Sequence, residues 1–77
     1  MLMLYNAHMN TRRRILEVAA ELGVAPSAVE KALDHSTPNR LRAVAVLLGQ
    51  PAAIVEHRAS RLDVDTDTAL DWLVLAA

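Results

Sequence analysis

Residues 17–33 read EVAAELGVAPSAVEKAL, and the reading of this stretch decides the fold. Before Gly23, the residues Ile15, Val18, Ala19 and Leu22 recur on one helical face, with Arg13, Arg14, Glu17 and Glu21 largely opposite. Gly23 follows the last apolar residue, where a left-handed C-cap is expected. The pattern restarts at Pro26, whose missing N–H and fixed φ suit a first turn. Val29, Ala32 and Leu33 then form a second apolar face, and Ala19 is the small residue that lets one helix cross another. A helix-turn-helix over about residues 12–34 is expected, with Ser27, Glu30, Lys31 and Asp34 exposed on its second helix.

Working outward, Pro38 and Pro51 each open a further helical pattern. One runs over about residues 38–48, with Thr37 as N-cap. It is apolar almost all round after Arg42, ends at Gly49, and reads as the central, most buried helix. The next covers about 51–62, with Ile54 and Val55 inside. The polar run DVDTDT (63–68) caps a last helix, about 67–76, whose Asp67 and Asp71 complement the macrodipole. Residues 1–10 are expected to add a short helix. No segment alternates as a strand does, so the fold class is all-α: one domain over residues 1–77, a bundle of about five short helices, with supporting helices over about 38–62.

The last helix leaves few polar positions, so it belongs either in the core or in a dimer seam. A homodimer through Leu70, Trp72, Leu73 and Leu75 is the expectation, because 77 residues are near the lower limit for a self-sufficient core. An internal echo is also present. Gly23 and Gly49 are 26 positions apart, preceded by VAAELG and VAVLLG and followed by SAVE and AIVE. Such spacing suggests a two-helix repeat. Gln50 and Arg58 stand where a second helix-turn-helix needs apolar residues.

Composition bounds the rest. Hydrophobic residues make up 53%, carried by Ala, Val and Leu, with Tyr5 and Trp72 the only aromatics. With a net charge of -1, this is a folded chain and not a disordered one. There is no cysteine, which suits a cytoplasmic protein. AVAVLLGQPAAIV is too short and too interrupted to span a membrane. The start lacks a basic leader and a cleavage site, so no signal peptide is expected, and NAHM (6–9) has the form of a cloning remnant. Charge is uneven: residues 1–42 hold six basic against four acidic side chains, and residues 43–77 hold two against five. A polyanion is therefore expected to approach the N-terminal half.

Residues 15–57, from the stretch quoted above through DHSTPNRLRAVAVLLGQPAAIV, resemble the core of Cro- and repressor-like helix-turn-helix proteins. Within that group the chain is most similar to the small Ner-type regulators of transposing phages, which share the look of GVAPSAVEKAL and of a QPAAIV-like segment. The resemblance implies a transcriptional regulator that binds double-stranded DNA, with Pro26 to Asp34 as recognition helix in the major groove. On that reading Arg12, Arg13, Arg14, Arg40 and Arg42 contact phosphates. Ser27 and Lys31 face base edges, and Glu30 accepts from cytosine. The chain departs from the family in carrying Glu30 and Asp34 on this helix and in a pI of 6.2.

Other chemistry finds no support in the pattern. The carboxylates of DVDTDT alternate as a calcium loop begins, but Thr68 replaces the glycine and Val74 the closing Glu. His8, His35 and His57 lack ligand spacing. No metal, no cofactor, no catalytic residue and no enzymatic activity are expected. The competing reading is a protein-interaction module, a small helical bundle or repeat fragment that docks a protein partner through its apolar last helix. NRLRAVAVLLGQPAAIVEHRAS also resembles the leucine-rich-variant class of helical repeats. The placement of the basic residues separates the two: a shared face with Ser27 favours DNA, and scattering favours the interaction module.

Overall fold

A computed structural model describes the backbone of residues 2–77 and the side chains of residues 12–77. Five helices follow one another: α1 (Leu2–Leu22), α2 (Pro26–Leu33), α3 (Arg40–Leu48), α4 (Ala52–Ser60) and α5 (Thr66–Leu75). The all-α expectation holds, with no strand among the described residues. Consecutive helices from α1 to α4 pack on one another, and α5 lies against all four.

The two glycine turns are built alike. Gly23 and Gly49 take φ of +70° and +66°, the left-handed region where a Cβ is strained. In the first, the Val24 N–H reaches back to the Ala19 carbonyl (3.0 Å) and the Gly23 N–H to Ala20 (3.3 Å). In the second, Gln50 donates to Ala45 (3.1 Å) and Gly49 to Val46 (3.2 Å). Both are Schellman closures, which satisfy carbonyls left open at a helix end.

The 26-residue echo therefore has a physical basis. Val18, Ala19 and Val29 of the first unit, and Val44, Ala45 and Val55 of the second, are all buried. Arg14 and Arg40 are equivalent by the same offset, and both reach α5. The chain is thus two helix–glycine–helix units joined by the loop 34–39 and covered by one further helix. Where the copies differ, the sequence compensates. Arg58 stands at the position of buried Ala32 and instead extends outward to donate to the Gln50 side chain (2.8 Å).

Several expectations are corrected. The first helix begins at Leu2, continuous with the segment expected to be separate, because nothing between Leu2 and Leu22 is a proline or glycine. α3 starts at Arg40, with Asn39 at its N-cap and no side-chain cap bond. The Thr37 hydroxyl caps elsewhere, donating to the Lys31 carbonyl (3.1 Å) at the end of α2. α3 is not the most buried helix, since Val46 is 77% exposed; α5 is, with Ala69, Leu70, Leu73 and Val74 all buried. Ile54 is half exposed, while Val55 and Ala59, one turn apart on α4, make the inward contact.

The same burial corrects the dimer seam. Leu70 and Leu73 are 2% and 7% exposed and packed inside the fold, so they present no outward surface. Leu75 is partly buried, and Trp72 is the one exposed member of the four. DVDTDT does cap the last helix: Asp65 accepts from the Thr68 N–H (3.1 Å) and hydroxyl (2.8 Å).

Candidate functional site

The basic residues expected to meet DNA occupy different settings. Arg12 and Arg13 are exposed on α1. Arg14 is half-buried; its Nε donates to the Leu75 carbonyl (2.8 Å) and its guanidinium stands 3.8 Å from Glu17. This contact supplies a donor and a positive charge at the C-terminal end of α5, where the macrodipole is negative.

Arg40 contradicts its expected role. Its side chain is 5% exposed, so a phosphate cannot reach it. One terminal nitrogen donates to the Asp67 carboxylate (2.7 Å) and carbonyl (3.3 Å). The other donates to the Ala32 carbonyl (3.1 Å) and to the Asp71 carboxylate. Asp67 and Asp71 are one helical turn apart on α5, which makes a two-carboxylate receptor for a planar guanidinium. Asp71 also accepts from His35 Nε2 (2.9 Å). Arg40 thus ties α5 to α2 and α3, and its Nε is buried without a partner.

Arg42 is two residues further along α3, about 200° around the helix from Arg40. It therefore faces away from α5. With Lys31 it borders an open groove of about 550 Å³ between α2 and α3. The walls are apolar: Val24, Ala28 and Ala32 from the α2 side, Ala43, Val46 and Leu47 from α3. The groove exists because alanines face one another where longer side chains would interdigitate. The six-residue loop 34–39 sets the spacing of its walls, and Thr37, Pro38 and Asn39 line that end.

Polarity along the groove follows from the chain path. Lys31 lies in the last turn of α2 and Arg42 in the first turn of α3, so both cations sit toward the loop end. Val24 and Ala28, with Val46 and Leu47, make the other end apolar. Among the described residues, neither Lys31 nor Arg42 forms an ion pair. Asp34, in the loop itself, is engaged locally. It accepts from the Ser36 N–H (2.9 Å) and hydroxyl (2.7 Å), which hold its carboxyl below the ordinary value of 3.8.

Ser27 and Glu30 are exposed on α2, as expected. The sequence pattern does not by itself mark Val24, Ala28, Ala43, Val46 and Leu47 as a joint surface. Their signal was indirect, since a groove needs small residues on two helices and an apolar residue left outside. Among the described residues, no three His, Cys, Asp or Glu side chains are grouped to hold a metal ion. No helix among those residues is long and apolar enough to cross a membrane. Comparison with protein-family models, curated proteins and solved structures finds no match to this chain.

Proposed function

We propose that this chain is a non-enzymatic protein-interaction module whose docking face is the α2–α3 groove. The observation that carries this reading is the groove itself: about 550 Å³ of open, apolar-walled space on a 77-residue domain. An open apolar groove between two helices is the kind of surface on which an amphipathic partner helix lays its apolar face. Val46, at 77% exposure on its wall, has no role in the core. Docking through α5 is not part of the proposal, because that helix spends its apolar face on the fold.

A second reading keeps the helix-turn-helix as a DNA reader. It is favoured by the closed α1–α2 turn and by the exposure of Ser27, Glu30 and Lys31 on α2. Against it stands the division of the cations: Arg14 and Arg40 are turned to α5, while Glu30 on α2 and Asp34 just past its end add negative charge beside the surface that would enter a DNA major groove.

Selection of a helical peptide library against the folded chain tests the proposal. Enriched peptides should lose binding to Val46→Asp, a substitution at an exposed position that leaves the core intact. Enrichment indifferent to Val46→Asp, or no enrichment at all, would contradict the groove as docking face.

A further inference from the structure

Resting on the interaction reading above, we infer that the groove's occupant is an amphipathic helix whose acidic residues are confined to its first turn. Three features of the site combine to specify it. The α3 wall extends from Asn39, at the N-cap, to Leu47, about 12 Å at 1.5 Å per residue, which accommodates about two turns of a docked helix. The walls are open along their length, with Val46 standing 77% exposed as a ridge. A free acyl chain gains little from so open a site, since ligand pockets bury some 70–90% of a small molecule. A helix fills it with one face, using anchors at i, i+3 or i+4, and i+7.

Charge sets the direction. Lys31 and Arg42 stand one on each wall at the loop end, and no ion pair satisfies either among the described residues. The apolar end, around Val24 and Leu47, has no charged lining residue. The occupant therefore needs carboxylates at one end and apolar anchors beyond it. Asp and Glu are stabilising in the first turn of a helix, where they oppose the macrodipole, and destabilising in the last. A helix with its acidic N-terminal turn between Lys31 and Arg42, and Leu or Met anchors running toward Val24 and Leu47, meets both demands.

The test uses three synthetic peptides that share one leucine face and differ only in the first turn: acidic, neutral or basic. Binding to the full chain is followed by fluorescence anisotropy at low and moderate salt. The acidic peptide should bind most tightly and weaken with salt. The double variant Lys31→Glu/Arg42→Glu should reverse the order, weakening the acidic peptide roughly tenfold, as befits two exposed charge pairs turned repulsive. Moving the acids to the last turn should also weaken binding. If all three peptides bind equally and still lose affinity with Val46→Asp, the acidic-partner inference falls while the groove remains the docking face. If none binds, both fall. Duplex DNA binding that is lost in the double variant, with no peptide bound, would assign Lys31 and Arg42 to phosphate instead.

Discussion

Arg40→Leu removes the tie between α5 and the two glycine-turn units. The Arg40 side chain is 5% exposed and serves two carboxylates and two carbonyls through its terminal nitrogens. Removing one partner of a fully buried ion pair is destabilising by about 3–5 kcal/mol. Here Asp67 is 53% and Asp71 27% exposed, so water can solvate both once the cation is gone. That screening lowers the expected loss to about 2–3 kcal/mol. Domains of this size hold about 4–12 kcal/mol in all, so the loss is a large share. The midpoint should fall by about 8–24 °C, at 4–8 °C per kcal/mol. Thermal unfolding followed by far-ultraviolet circular dichroism reads this directly. Arg40→Lys should recover only part of the loss, because an ammonium cannot serve the same donors in one plane. Its repeat equivalent supplies the contrast: Arg14→Leu, which removes one part-buried bond to Leu75, should lower the midpoint by only a few degrees, for about 0.5–1 kcal/mol. If Arg40→Leu melts within about 3 °C of the parent chain, Arg40 is not the tie described here.

Other expectations follow from single contacts. Gly23→Ala and Gly49→Ala should each lose about 1–2 kcal/mol in chemical denaturation, and by similar amounts. Both glycines are left-handed with open space around the missing Cβ, so the loss is conformational and not steric. Leu70→Ala should lose about 2–5 kcal/mol, while Val46→Asp, an exposed change whose cost is that of an acid in the last turn of α3, should lose no more than about 1 kcal/mol, a contrast that locates the core under α5 and not on the outer face of α3. Acid should destabilise the fold through Asp34 and Asp65. Hydrogen bonds from Ser36 and Thr68, respectively, hold both carboxyls below 3.8, so each favours the folded state above that value. This contribution is lost as pH falls through the lowered values. Asp34→Asn with Asp65→Asn should flatten the dependence of the midpoint below pH 4, and an unchanged slope would count against these two groups.

Much of the fold can be read in the chain because its signals are local. A glycine after a periodic apolar run closes a helix wherever it occurs, and Gly23 and Gly49 both do so. Asp65 caps α5 through groups only three residues away. The inward faces of α1 and α2 follow from spacing alone. Arg40 was not legible for the opposite reason. Arginine ordinarily lies outside, and its receptor is assembled from α5, 27 and 31 residues further on. The direction of the α5 leucines was equally non-local, since an apolar helix reads the same in a core and in a seam. The groove left least trace of all: it is a space between alanines, and only the packing of α2 on α3 around the loop 34–39 creates it.

The central claim, that α2 and α3 together form a docking face for a helix, is tested most directly by mapping NMR shifts of the isotope-labelled chain. Two titrations are compared, one with the acidic-turn peptide and one with a duplex DNA at low salt. The peptide should move the signals of Val24, Ala28, Ala43, Val46 and Leu47, with saturation, and the duplex should leave the amides of residues 26–34 in place. Saturable duplex-induced shifts centred on Ser27, Glu30 and Arg12–Arg13, with the groove methyls unmoved by peptide, would contradict it.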